Sequence, residues 1–163
     1  MEADRPQPVV NMNWMIRRHL PDVLAIEQAS YPDPWSEEDF CRCLRQRSTI
    51  GLVAVTLQQE LVGFMVYELH KTHLQLLDLA VAPAWRRLGV GTQLVEKLKG
   101  KLAPARRSEL CLEVRESNLP AQLFFRALGL RAVAVLHNYC GADDREDAYR
   151  MRYRLPREQP VGA

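Results

Sequence analysis

The sequence predicts an α/β protein with a mixed central sheet of about seven strands and about four helices on its two faces. Three observations support this fold class. The expected elements follow the order β-α-α-β-β-β-α-β-α-β-β. The run 74–82 is apolar on both faces except at Gln75 and Asp78, as in a central strand that is covered on both sides. From Val90 onward the apolar period changes to that of an amphipathic helix.

The first half of the chain is expected to contain one strand, two helices and three further strands. A helix opens at Pro21. Ser36 is a good N-cap for the second helix, with Asp39 three residues later for a capping-box contact, and this helix should end near Arg47. The four strands are predicted at 14–19, 50–57, 61–69 and 74–82.

The second half alternates helices and strands. The helix from Val90 has its apolar side chains within one arc, and a second helix from Asn118 to Leu128 closes at Gly129. Along the strand 108–115, Glu113 lies on the wetter of the two faces. The last strands are predicted at 130–139 and 148–155, with Arg150, Arg152 and Arg154 facing solvent.

The composition indicates one domain of ordinary globular type. We expect this domain to span 14–155, between a flexible N-terminal tail, 1–13, and a C-terminal tail, 156–163. The formal net charge of +2 argues against a nucleic-acid or membrane partner. No apolar leader segment is evident, and the four cysteines suggest neither disulfides nor a metal site, so the expected compartment is the cytoplasm.

The stretch 86–92 is the most informative part of the sequence. Gly89 and Gly91 allow the backbone to approach a ligand closely, and the helix that begins there offers unpaired N–H groups to an anion. Arg86 and Arg87 add positive charge and bidentate donors. The stretch is therefore interpreted as a diphosphate site, with a glycine-permitted turn carrying solvated arginines as the alternative.

Other phosphate motifs fit this stretch less well. A Walker A loop requires Gly-Lys-Ser/Thr, which is missing, and the GxGxxG dinucleotide fingerprint fails because Leu94 stands at its third glycine. A nucleotide remains the weaker alternative ligand for the loop.

Arg86-x-x-Gly89-x-Gly91 matches the Q/R-x-x-G-x-G/A signature, and its context strengthens the match. The chain resembles the GNAT acetyltransferases, and within them the RimI branch, which acetylates the N-terminal alanine of a ribosomal protein. The similar stretches are PWS at 34–36, LAVAP at 79–83, LEVRESN at 112–118, FFRALGL at 124–130 and REDA at 145–148.

The resemblance implies acetyl-CoA as cosubstrate and no metal. Backbone groups of the 79–81 segment would pair with the pantetheine arm and polarise the thioester carbonyl, while N–H groups of the loop would hold the pyrophosphate. Asn118 would bind the pantetheine, or act as the N-cap of its helix, or do both. The cofactor-binding residues implied are Leu79, Ala80, Val81, Arg86, Arg87, Leu88, Gly89, Val90, Gly91, Thr92, Asn118 and Phe125.

The resemblance also implies the catalytic residues. Glu113 matches the general base of the RimI branch; the alternative is a strand glutamate in an ion pair with Arg115 or a nearby arginine. Phe125 stands where the branch has its tyrosine general acid, and it has no proton to give. Tyr139 is the candidate substitute acid, and the alternative for Tyr139 is an aromatic side chain packed at a sheet end.

The acceptor is expected to be a peptide or protein N-terminus, with a ribosomal protein as the RimI-like example. A small amine or polyamine, a lysine side chain, or a catalytically weak module that only binds acetyl-CoA are the alternatives. The acidic stretch Asp143, Asp144, Glu146 and Asp147 could attract a cationic acceptor or form a solvated loop.

Overall fold

The computed structural model describes residues 6–139 and 146–156. Its strands and helices follow the predicted order, and the strands form one seven-stranded sheet in the order β1-β2-β3-β4-β5-β7-β6. The strands are β1 Val10–Trp14, β2 Thr49–Thr56, β3 Leu61–Leu69, β4 His73–Val81, β5 Glu109–Arg115, β6 Arg131–Leu136 and β7 Ala148–Arg154. The helices are α1 Leu20–Ser30, α2 Glu37–Leu44, α3 Val90–Lys99 and α4 Leu119–Ala127, with 3-10 turns at Arg17–His19 and Pro83–Trp85.

The sheet is mixed, as predicted. β1 with β2, β2 with β3, β5 with β7, and β6 with β7 are antiparallel pairs. The parallel ladder between β4 and β5 joins His73–Gln75 to Glu109–Cys111. A parallel pair needs a long crossover connection, and α3 lies in the connection between these two strands.

The chain divides into two compact units. The first consists of residues 1–69 and 77–97, and the second of residues 70–76 and 98–163. The first unit contains a hydrophobic core in which the Phe40 and Phe64 rings meet edge to face at 5.6 Å. In the second unit, Leu110 and Leu130 are fully buried, and Lys99 donates a hydrogen bond to the Leu128 carbonyl at the end of α4.

The start of the second helix is confirmed in detail. The Ser36 hydroxyl accepts a hydrogen bond from the Asp39 N–H at 3.2 Å, and the Asp39 carboxylate accepts one from the Ser36 N–H at 2.9 Å. These two bonds form the predicted capping box. The helix ends at Leu44, slightly before the predicted end near Arg47.

The prediction for the first strand is wrong. Residues 17–19 form a 3-10 turn, and the strand is Val10–Trp14, so it begins inside the predicted tail 1–13. β1 is an edge strand whose ladder with β2 pairs Val10 with Thr56 and Trp14 with Leu52. Its sequence, Val-Asn-Met-Asn-Trp, does alternate apolar and polar residues, and the sequence analysis overlooked this alternation when it assigned 1–13 to a tail.

The central strand β4 also differs from its prediction. Its residues alternate between buried and half-buried, so only one of its two faces is fully covered within the structure. Within the described residues, no helix is long and apolar enough to cross a membrane. Cys140, Asp143, Asp144, Arg145 and residues 157–163 lie outside the described residues.

Candidate active site

The stretch 86–92 forms the loop that leads into α3. Arg87 has φ 62° and Gly89 has φ 89°, so two of its residues adopt the left-handed conformation. Turns of this kind align successive backbone N–H groups around a concave anion site. The Gln93 N–H donates to the Gly89 carbonyl at 3.0 Å, which joins the loop to the first turn of α3. We call Arg86–Thr92 the phosphate loop; that it binds a diphosphate remains a prediction.

The Arg86 side chain donates hydrogen bonds to oxygen atoms of the protein, and its contact with a diphosphate remains a prediction. Its Nε donates to the Val81 carbonyl at 3.0 Å, and its Nη2 donates to the Ser30 hydroxyl at 2.9 Å. The same Nη2 lies 3.4 Å from the Ala29 carbonyl. Three of its contacts are thus made within the first unit, to the end of β4 and the last turn of α1.

The N-terminal segment covers part of the phosphate loop. The Gln7 side chain lies against Gly89: a Cβ at Gly89 would be only 2.8 Å from Gln7 Cδ and from Gln7 Nε2. The Gln93 side chain donates to the Pro8 carbonyl at 3.0 Å. The absence of a side chain at Gly89 therefore allows Gln7 to approach the loop.

Two acidic side chains are buried together beside β4. Glu27 is 2% and Asp78 is 8% exposed. Glu27 Oε2 and Asp78 Oδ2 receive no hydrogen bond from any N–H or O–H group of the described residues, although the two carboxyl groups contact each other. A proton shared between them satisfies both oxygens. Burial, reinforced by the hydrogen bond with Glu27, raises the pKa of Asp78 to about 10.

This shared proton predicts that stability falls as pH rises. Near neutral pH the folded protein holds a proton that the unfolded Asp78, with its ordinary pKa of about 3.9, has already lost. Unfolding therefore releases a proton. Higher pH lowers the free energy of unfolding by up to ~1.4 kcal/mol per pH unit, and this slope levels off near pH 10. Urea unfolding between pH 6 and pH 9 should show this slope in the wild type and a smaller one in Asp78→Asn. Equal slopes in both proteins would contradict the shared proton.

Glu113 lies on β5 in the second unit, on the predicted wetter face, with 18% of its side chain exposed. Gln75 Nε2 donates to Glu113 Oε2 at 2.7 Å, and Arg150 Nη2 lies 3.4 Å from Glu113 Oε1. Both partners are donors, so they bind and orient the carboxylate form. The ion-pair partner of Glu113 is Arg150; Arg115 pairs instead with Glu146, at 3.7 Å.

Two other implied site residues lie on α4. Asn118 is its N-cap, and the Asn118 side chain accepts a hydrogen bond from the Ala121 N–H at 3.3 Å. Phe125 is 7% exposed and meets the Phe124 ring edge to face at 5.0 Å. The N-cap interpretation of Asn118 is confirmed, whereas the contact of both residues with a cosubstrate remains a prediction.

Tyr139 does not lie in a strand as predicted, because β6 ends at Leu136. It follows Asn138, which has φ 53°, in the turn after β6, and it is 50% exposed. Asp147 orders this turn by accepting from the Asn138 N–H at 3.1 Å and by pairing with His137 at 3.2 Å. The Tyr139 hydroxyl is therefore on an accessible turn, not in a packed sheet end.

Glu146, from the predicted acidic stretch, has a structural partner. Its carboxylate accepts a hydrogen bond from the Ser117 N–H at 2.8 Å, and hydrogen bonds from Ser117 lower the pKa of Glu146. Its negative charge is thus engaged beside the start of α4. Within the parts of the chain that the structure describes, no three His, Cys, Asp or Glu side chains are grouped as a metal site requires.

Sequence reasoning missed three contacts of the site. It did not assign functions to Gln75 and Asp78, although it singled them out as the polar exceptions in an apolar strand. Gln75 holds the Glu113 carboxylate, and Asp78 pairs with Glu27. It also missed Tyr31, whose hydroxyl donates to the Leu79 carbonyl. The available signal was the presence of two polar residues, Gln75 and Asp78, in an otherwise apolar strand. The Tyr31 contact has no signature in the sequence.

The fold and the phosphate loop define the class of the protein: an acetyl-CoA-dependent N-acetyltransferase. The chain belongs to the acetyltransferase (GNAT) family, which it matches over residues 19–130. This result confirms the resemblance on which the fold, the enzyme class and the cosubstrate were predicted.

The comparisons with individual proteins support the RimI branch. The chain is 32% identical over 130 residues to the [ribosomal protein bS18]-alanine N-acetyltransferase of Escherichia coli, covering 79% of this chain and 86% of the relative. The crystal structure of the Escherichia coli ribosomal-protein-S18-alanine N-acetyltransferase superimposes with a TM-score of 0.79 at 26% identity, covering 95% of this chain and 99% of the other. The crystal structure of Ard1 from Thermoplasma volcanium gives a TM-score of 0.79 at 25% identity, covering 90% of this chain and 98% of the other.

Proposed function

We propose that this enzyme acetylates the α-amine of a peptide or protein N-terminus, with Glu113 as general base. The observation that carries the proposal is the Glu113 carboxylate, which is oriented by Gln75 and Arg150 on a partly exposed strand face. The relative from Escherichia coli, named for an alanine α-amine of a ribosomal protein, supports the choice of acceptor.

The reaction requires a neutral amine, because an ammonium ion has no lone pair for attack. Glu113 takes the proton from the acceptor ammonium, directly or through one water molecule. The amine nitrogen then bonds to the thioester carbonyl carbon. The C–S bond breaks, and the nitrogen releases its second proton to solvent, as the amide forms. Backbone N–H groups of Leu79–Val81 stabilise the negative charge that develops on the carbonyl oxygen.

The departing thiolate takes up one proton, and we assign this proton to Tyr139. Tyr139 carries a hydroxyl group on an exposed turn, whereas Phe125, at the position of the branch's tyrosine, carries none. A model thiol has a pKa of about 8.5, so the thiolate is a moderate leaving group that needs little assistance. A Tyr139→Phe variant should therefore lose activity by about tenfold or less, measured as thiol release.

The chemistry of amines favours an α-amine over a lysine side chain. The pKa is about 7.7–8.0 for an α-amine and about 10.4 for lysine, so a carboxylate removes the first proton more easily. Lysine, small amines and polyamines remain the alternative acceptors. A catalytically weak module that binds acetyl-CoA is the second alternative, and the missing hydroxyl at Phe125 is the observation that favours it. The cytoplasm is the proposed compartment.

The acceptor is tested with matched peptides and mass spectrometry. One peptide begins with a free alanine and contains no lysine; the second has the same residues with a blocked N-terminus and one lysine. We expect acetylation of the first peptide at its α-amine and little or none of the second. Acetylation of the second peptide or of spermidine alone would reject the N-terminal assignment while leaving the enzyme class intact.

A further inference from the structure

Two carbonyl oxygens near the end of β4 accept hydrogen bonds from side chains. The Tyr31 hydroxyl donates to the Leu79 carbonyl, and Arg86 Nε donates to the Val81 carbonyl at 3.0 Å. Tyr31 is the C-cap residue of α1, and Arg86 directly follows the 3-10 turn Pro83–Trp85. We call these two side chains the carbonyl clamp.

Both bonds are made at the same edge of β4. In an extended strand, the N–H and C=O of one residue point to one edge, and those of the next residue point to the other. The edge of Ala80 faces β3, since the Ala80 oxygen lies 3.2 Å from the position of a Cβ at Gly63. Ala82 is two residues further along and faces the same edge as Ala80, and its N–H donates to the Val62 carbonyl at 2.8 Å. Leu79 and Val81 therefore face the edge opposite β3.

The clamp is anchored in the last turn of α1. Arg86 Nη2 donates to the Ser30 hydroxyl at 2.9 Å, and that hydroxyl in turn donates to the Ile26 carbonyl at 2.6 Å. Burial, with the Asp78 and Glu27 carboxyl groups nearby, raises the pKa of Tyr31. Its hydroxyl therefore stays protonated and remains a donor at neutral pH. The guanidinium and the phenol together hold the end of β4 against α1.

We propose that Tyr31 and Arg86 are positioning residues for acetyl-CoA. They occupy the carbonyl oxygens at one edge of β4, so that edge presents its N–H groups as donors. A donor edge suits the thioester carbonyl oxygen, which can only accept a hydrogen bond. This inference rests on the proposed function, in which the cosubstrate binds along Leu79–Val81.

The clamp gives Arg86 a role that differs from charge attraction to a diphosphate. A charge contact would tolerate lysine, because lysine keeps the positive charge. A hydrogen-bonding clamp would not tolerate lysine, because lysine lacks the planar guanidinium that reaches two acceptors at once. Arg87 lies in the same loop, with φ 62°. It provides the comparison, because we assign no clamp contact to it and expect its side chain to act through positive charge alone.

The test compares acetyl-CoA affinity by calorimetry in four variants of the full chain. We expect Tyr31→Phe and Arg86→Lys each to raise the Kd for acetyl-CoA about tenfold, the effect of losing one buried hydrogen bond. Tyr67→Phe removes a hydroxyl from a tyrosine that is 1% exposed on β3, and should leave the Kd unchanged. Arg87→Lys should retain most of the affinity. The KM for the acceptor peptide should stay constant in the clamp variants.

Hydrogen exchange of the free protein measures the clamp without the cosubstrate. The amide of Ala80, which lies on the edge that faces β3, should exchange faster in Tyr31→Phe and Arg86→Lys than in the wild type or in Tyr67→Phe. Wild-type acetyl-CoA affinity in both clamp variants overturns the inference, whatever the exchange shows. If the wild type binds no acetyl-CoA, the proposed function is rejected instead. In that case, hydrogen exchange that is the same in the clamp variants and in the wild type rejects the clamp separately.

Discussion

Glu113→Gln is expected to lower kcat by about 10²–10⁴-fold, the usual contribution of a general base. Glutamine has nearly the same shape and still offers an oxygen to Gln75 or Arg150, but it cannot take a proton from the acceptor. The KM for acetyl-CoA should change little. Steady-state thiol release with the alanine peptide measures both constants.

Glu109→Gln is the matched control for this variant. Glu109 lies on the same strand and pairs with Arg154 of β7 at 2.7 Å, just as Glu113 pairs with Arg150. The control removes a carboxylate from the same kind of cross-strand ion pair and should keep near wild-type kcat. If the two variants lose activity equally, Glu113 contributes a structural ion pair and the proposed base is wrong.

Gly89→Ala is expected to weaken acetyl-CoA binding by about 10–100-fold. Gly89 has φ 89°, a conformation that costs an L-residue ~1–2 kcal/mol. A Cβ there would also lie 2.8 Å from the end of the Gln7 side chain, which can move aside, so the strained φ is what shifts the loop. A shifted loop no longer aligns its N–H groups, and charge-assisted hydrogen bonds of this type contribute about 1.5–3 kcal/mol each.

Gly129→Ala separates this effect from general destabilisation. Gly129 has φ 95° and lies outside the phosphate loop, and a Cβ there would contact the Tyr153 ring at 3.3 Å. Both variants should lower the melting temperature by similar amounts, but only Gly89→Ala should raise the Kd for acetyl-CoA. Similar losses of affinity in the two variants would indicate that the phosphate loop has no special role.

The sequence predicted the elements that have strong local signals. The capping box at Ser36 and Asp39 depends on residues three positions apart, and both of its hydrogen bonds are present. The first strand was misplaced although Val10–Trp14 alternates apolar and polar residues, because this short alternation follows directly on the polar, proline-bearing start of the chain that was assigned to a tail. Its ladder with β2 joins residues about 40 positions apart, and a local sequence pattern does not show such a pairing.

The contacts that hold the candidate base could not be predicted in the same way. Gln75 and Glu113 are 38 residues apart, and their hydrogen bond depends on the register of the parallel pair β4 and β5. Arg150 lies opposite Glu113 only because of the antiparallel register of β5 and β7. The sequence showed that Glu113 is on a wet face, but these registers decide which donors it meets.

Arg86 illustrates how a motif can be recognised while the contacts of its side chain stay hidden. Its match to the acetyltransferase signature was sound, and the family is confirmed. Its side chain contacts the Val81 carbonyl and the Ser30 hydroxyl, which positive charge and spacing alone do not reveal. The binding of a diphosphate by Arg86 and by the phosphate loop remains a prediction.

Release of free thiol from acetyl-CoA is the most direct test of the account. The acceptors are alanine- and serine-starting peptides, a lysine peptide, spermidine and free amino acids, each with the wild type and with Glu113→Gln. We predict saturable turnover with the N-terminal peptides that is lost in the variant. Full activity of the variant would contradict the role of Glu113 as general base. No thiol release with any acceptor, while acetyl-CoA still binds by calorimetry, would contradict the proposed mechanism and favour a module that only binds acetyl-CoA.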